Sequence, residues 1–141
     1  MTEGWLGDDY LILFDETEIA SVSESYAISQ FLPDHQVVGL FGWDDFIVRD
    51  SGGKTSTVPT VPVTTKYLSP YVLPTGGAHL NPDDRVLGKI KWYVQPVAFG
   101  GDMNLGSNAA WMDHAKHQQL VRYWNELYLS AKKQPIPPAG P

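Results

Sequence analysis

The residues whose types and spacing could do chemistry are few. Asp113, His114 and His117 stand together where a helix is expected to begin, and two imidazoles with a carboxylate could be offered to a metal ion. A small metal-dependent hydrolase is the enzyme that such a set would make. Against it, His117 falls on the apolar stripe of that same helix, where a core histidine is the simpler fate. His35 and His79 could act as general bases, but neither has a nucleophile motif such as G-x-S-x-G nearby. Gly52-Gly53, Gly76-Gly77 and Gly100-Gly101 lack the lysine and the strand-loop-helix setting of a phosphate cradle, so turns explain them. The chain has no cysteine, which excludes disulfides, a thiolate nucleophile and thiolate zinc sites, and suits a reducing cytosol. A non-enzyme without metal or cofactor is therefore expected.

Binding chemistry is better represented. Residues 1–50 hold eleven acids against the single base Arg49, a net −10, while residues 51–141 hold five acids and nine bases, a net +4, giving −6 overall. So lopsided a distribution argues against nucleic acid as the ligand of the first half, since phosphate contact needs cations, and favours a basic protein partner. Trp43-Asp44-Asp45 sets an aromatic beside two carboxylates at an expected hairpin tip, a composition that anchors interfaces when exposed. Asp8, Asp9, Asp34, Asp50 and Glu16, at turns or at a helix start, complete the expected partner-binding set.

The elements that must position these residues centre on residues 31–62. Val37, Val38, Leu40 and Phe41 form one apolar arm, Gly42-Trp43-Asp44 the reversal, and Asp45 to Arg49 an alternating second arm with Phe46 and Val48 on its buried face. Asp50-Ser51-Gly52-Gly53 turns the chain into a third strand, Thr55 to Val58, and Pro59 and Pro62 place that strand at an edge. Upstream, Tyr10 to Phe14 is a short buried strand. Asp15 with Glu18 then makes a capping box for a helix carrying Ile19, Val22 and Tyr26, ending near Ser25. Residues 63–84 read as loop with one helical turn. Residues 88–97 read as a strand with Ile90, Trp92 and Val94 inward and Lys91 and Tyr93 outward.

The last element is an amphipathic helix from Asp113, with His117, Leu120, Val121, Trp124, Leu127 and Tyr128 on one stripe and Lys132 and Lys133 at its end. The proline-rich tail 134–141 cannot continue it. The expectation is one α+β domain, 1–133: a small, mainly antiparallel twisted sheet with the C-terminal helix across one face. No apolar run is long enough to span a membrane, and the N-terminus lacks the layout of a secretory signal, so a soluble cytoplasmic protein is expected.

The order of these motifs resembles the SUKH superfamily. Leu13, Glu18, Ile19, Tyr26, Leu32, Pro33, Val38, Gly39, Phe46, Gly53, Val61 and Pro62 fall where its strand, acidic helix start, "lP" step, "iG" strand and "vP" hairpin end stand, across about residues 4–63. The stretch from Gly100 to Tyr128, with its "GGD, N, H, VRyWN" pattern, is similar to the tail of some members and of neighbouring immunity families. The resemblance implies a non-enzymatic immunity protein that neutralises a toxin, and many such toxins are basic nucleases. Two departures matter. The chain starts at the equivalent of the loop Glu3-Gly4-Trp5, without the family's first helix, which leaves room for an assembly, such as a homodimer, in which another chain supplies it. The glycine-rich segment after the "iG" strand is also replaced by Leu40-Phe41-Gly42-Trp43-Asp44, which implies a binding surface particular to this lineage.

Overall fold

In a computed structural model of the chain, residues 1–74, 79–101 and 108–133 are described. The expected turn at Gly76-Gly77, the loop 102–107 and the tail 134–141 lie outside them, as do the side chains of Lys132 and Lys133. The elements run β1 (Thr2–Leu6), β2 (Asp9–Leu13), α1 (Glu16–Ser25), α2 (Ile28–Phe31), β3 (His35–Phe41), β4 (Asp45–Asp50), β5 (Thr55–Pro59), β6 (Ser69–Pro70), β7 (Ile90–Tyr93), β8 (Ala109–Met112) and α3 (His114–Lys133). β1 to β6 form a six-stranded sheet in sequence order, antiparallel at every junction, and β7 pairs with β8 in a second, two-stranded sheet. The fold is α+β, as the sequence leads one to expect.

Local signals account for the first half. Asp15 N–H donates to Glu18 Oε1 at 2.9 Å and starts α1, whose Ile19 and Tyr26 are buried on β3. Ser23 faces the same way, and its Oγ accepts the Val37 N–H at 2.8 Å. Directly opposed residues in antiparallel strands share a face, so Glu3, Ile12, Leu40, Phe46 and Val58 make one continuous cross-strand row. Gly39 sits at a bulge in β3, and a Cβ there would lie 2.5 Å from the Ile12 carbonyl oxygen. Only glycine permits that approach.

Three expectations are corrected. β5 is not an edge strand: two residues of β6 pair with it, while Pro59 ends the β4 ladder, where its missing N–H costs nothing. β4 does not have one buried face, because Phe46, Ile47 and Val48 are all buried in the middle of the sheet. β7 stops at Tyr93, and Val94 is 66% exposed after its N–H turns to the Asn108 carbonyl.

The row through Phe46 is linked to the last third of the chain by Tyr26, just past the end of α1. Tyr26 sets its ring edge against Phe46, with 4.7 Å between centroids, and shares a 2.6 Å hydrogen bond with Nδ1 of the buried His117 on α3. His117 in turn meets the Trp92 ring edge-on. Asn125 Oδ1 accepts the Val63 N–H, its Nδ2 donates to the Thr60 carbonyl, and Trp92 Nε1 donates to Thr60 Oγ1. The stripe on α3 is therefore narrower than expected: His117, Val121 and Asn125 are buried, and Leu127 is exposed.

Burial, and then the neighbouring His114, push His117 down to about 3. The unfolded chain then binds a proton near the ordinary value of about 6.5 that the native state refuses, so stability falls as the pH drops from 6.5 towards 3. Tyr26→Phe, which orphans His117 Nδ1, is expected to cost about 1–3 kcal/mol in urea denaturation at neutral pH. In Tyr26→Phe/His117→Phe, which removes both partners, the loss should be smaller and the acid-side decline shallower.

Candidate functional site

The sheet sorts the expected binding residues into two groups at opposite ends. The β3–β4 register pairs Phe41 with Asp45 at one end and His35 with Asp50 at the other, a strand length of roughly 20 Å apart. Asp34 and Asp50 lie at the second end, in a polar groove with His35 and Arg49, and both carboxylates are engaged locally, Asp34 by Ser51 Oγ and Asp50 by the Lys54 N–H. Glu16 is held by Arg49 at 2.8 and 3.1 Å. Asp8, in the exposed turn between β1 and β2, and Asp9, the exposed first residue of β2, share the first end with Asp44 and Asp45, because the Gly42 N–H bonds the Tyr10 carbonyl beside that turn.

At this first end the backbone reverses through Gly42 and Trp43, both in the left-handed region with φ of 61°. Glycine adopts it freely; tryptophan does so at a cost of about 1–2 kcal/mol. The ring offsets that cost by packing. Trp43 does not project as a free hairpin-tip anchor but folds down, stacked on Tyr10 at 4.7 Å and edge-on to Trp5 and Trp111 at 5.9 and 5.2 Å. Four aromatics from β1, β2, the turn and β8 thus tie the end of the main sheet to the second one.

Turning Trp43 inward carries the next two residues to the mouth of a cleft of about 270 Å³, floored by Thr60 and Trp92 and flanked by Tyr93 and Val97. Asp44 accepts a long 3.2 Å hydrogen bond from the Tyr93 hydroxyl, and its carbonyl takes both the N–H and the hydroxyl of Thr60. Burial raises the Asp44 carboxyl, and burial followed by the charge of Asp44 pushes Asp45 up to about 6. Burial, with Asp44 adding to it, pushes the Tyr93 phenol up to about 12. Among the described residues neither carboxylate has an ion-pair partner. Two adjacent, half-buried acids without a counter-charge among the described residues are costly to keep ionised, and a cation would relieve that cost.

The metal alternative finds less support. Asp113 Oδ1 caps α3 by accepting the Lys116 N–H at 2.7 Å, His117 Nδ1 is occupied by Tyr26, and among the described residues no group of three or more His, Cys, Asp or Glu could hold a metal ion. His117 is the core histidine that the stripe implied. Sequence reasoning missed Thr60, Trp92 and Tyr93 as cleft residues, and Trp5 and Trp111 as walls. The outward alternation of Lys91 and Tyr93 was visible, but which surface they would meet was not. No helix among the described residues is long and apolar enough to cross a membrane.

Asp45→Asn keeps the shape of the side chain and removes the unfavourable charge. Because its native carboxyl binds a proton more tightly than the unfolded chain does, Asp45 lowers stability as the pH rises through about 6. The substitution is therefore expected to raise stability at pH 7 by about 1–2 kcal/mol after allowance for solvent screening, and to gain nothing below pH 4, as measured by denaturant midpoints across that range. No protein-family model, curated protein or solved structure matches the chain.

Proposed function

We propose that the protein is a non-enzymatic, toxin-neutralising binder of the SUKH type, acting in the cytosol, that captures a basic toxin domain by taking a cationic side chain between Asp44 and Asp45. The observation that carries this reading is the acid pair itself, held half out of water with no ion-pair partner among the described residues. Burial is the first cause of the rise at both carboxyls, and a positive charge seated between them would relieve the cost of keeping the pair ionised. The exposed Asp8 and Asp9 at the same end, within the −10 half of the chain, would steer a basic partner towards the cleft and make its association salt-dependent.

The test is co-expression with the toxin domain encoded by the adjacent reading frame. Wild type should protect the host and bind the toxin. Asp44→Asn/Asp45→Asn should weaken binding by about 2–5 kcal/mol while remaining folded, and Asp44→Lys/Asp45→Lys should abolish protection. Protection and affinity unchanged in both variants would remove this cleft from the function. Asp34→Asn/Asp50→Asn, at the far end of the sheet, should bind as wild type does.

A further inference from the structure

The acid cleft has a neighbour. A second groove, about 400 Å³, is walled by Trp5, Trp43 and Trp111 and bordered by Lys91 and Arg85. Trp43 is the partition: its ring lines the indole groove, while Asp44, the next residue, lines the acid cleft. β7 joins the two as well. Lys91 and Tyr93 alternate with the buried Ile90 and Trp92, so they project from the same side of the strand, one into each groove.

Trp111 is 45% exposed, and Lys91 Nζ stands 6.0 Å from its ring centroid. Arg85 is already neutralised by Asp83 through hydrogen bonds of 3.0 and 2.8 Å, whereas Lys91 has no carboxylate partner among the described residues. An exposed indole bordered by water-excluding aromatics is the composition at which interface energy concentrates.

We infer that the indole groove and the acid cleft are two halves of one docking surface, filled by an apolar side chain and an arginine from the same segment of the partner protein. The inference rests on the proposed function. A stable protein interface covers roughly 800 Å² on each partner, more than the acid cleft alone offers, so whatever seats a cation there extends across Trp43 onto Trp111. Arginine fits the cleft better than lysine: its planar guanidinium bonds two carboxylate oxygens at once, sheds water more readily and stacks on aromatic faces such as that of Tyr93. A single-stranded nucleic acid would also stack on indoles, but its phosphates would lie beside Asp44 and Asp45 and be repelled.

The experiment uses acetylated peptide amides in which arginine and phenylalanine are separated by glycine spacers of different length, with controls that replace either end by alanine. Binding to the whole chain is followed through the tryptophan indole N–H signals. At one spacer length the two-headed peptide should bind at least about tenfold tighter than either control. Trp111→Ala should reduce it to the level of the arginine-alanine control, and Asp45→Asn to that of the alanine-phenylalanine control. If arginine peptides with and without phenylalanine bind alike at every spacer, the indole groove is not part of the surface and the inference fails, while the proposed function stands. If Asp45→Asn changes the binding of no arginine peptide, the proposed function itself fails. A short oligothymidine that displaces the peptides at Trp111, or peptides that leave the Trp43 and Trp111 signals unmoved, would overturn the inference. The peptide comparison on the unmodified chain carries the test, so a variant that folds poorly does not blunt it.

Discussion

The hydrogen bond between Tyr26 and His117 is the contact on which the arrangement of the molecule turns. An open six-stranded sheet leaves the face through Ile12, Leu40, Phe46 and Val58 to be covered; α1 packs on β3, Tyr26 just past its end lies against Phe46, and the unit of β7, β8 and α3 from the end of the chain is joined to Tyr26 through His117. Closing so long an excursion is entropically expensive, and non-directional apolar contact alone would let the unit slide. A buried polar pair joining residues 91 apart fixes its position, because any shift leaves both groups unsatisfied away from water. Asn125 with Val63 and Thr60, and Trp92 with Thr60, repeat the device at two further points. Together they set where β7 lies, and hence where Lys91 and Tyr93 meet the turn between β3 and β4.

That turn carries costs that the rest of the fold has been arranged to bear. Trp43 occupies a backbone region unfavourable to any side chain larger than glycine, and Asp44 and Asp45 are held partly out of water without a counter-charge. Natural chains relieve such features readily when nothing selects for them, since an asparagine or a lysine nearby would suffice. Their coincidence within three residues, braced by the stack of Trp43 on Tyr10, is what supports placing the proposed binding site at this end of the sheet. Away from it, Asp34, Asp50 and Glu16 are each engaged by a neighbour, Ser51, the Lys54 N–H and Arg49 in turn.

Much of this fold was legible because its signals are local. The capping box of Asp15 and Glu18, the hairpins through residues 35–59 and the stripe of α3 each occupy a short window. What escaped depends on distant partners. β1 exists because Thr2–Leu6 pairs with Asp9–Leu13 across a turn at Gly7-Asp8, yet Glu3-Gly4-Trp5 has no alternation of its own to announce a strand. β8 is likewise defined by β7, and the run Ala109-Ala110-Trp111-Met112 carries little strand propensity. The two-residue strand β6 turned an expected edge into an interior position. The acids were identified from composition, but their division between two ends follows from register, and the inward turn of Trp43 follows from Tyr10, Trp5 and Trp111 converging from three separate segments. Composition could give the charge of the first half of the chain; only topology could say which of its carboxylates stand together.

Under the proposed function, the value of the acid pair to a binder comes down to when desolvation happens. An exposed carboxylate that meets an arginine must lose its water at the moment of binding, and in a surface pair that loss cancels much of the attraction. Asp44 and Asp45 have lost part of theirs during folding, at the expense of the free protein's stability, so an incoming guanidinium would bear mainly its own desolvation cost and find Asp44 oriented, its carboxylate by the Tyr93 hydroxyl and its backbone carbonyl by Thr60. The same pre-organisation punishes a mismatch: an apolar or anionic group in the cleft would leave two unpaired charges covered from water. Affinity and discrimination thus arise from one arrangement, and neither requires a reactive group.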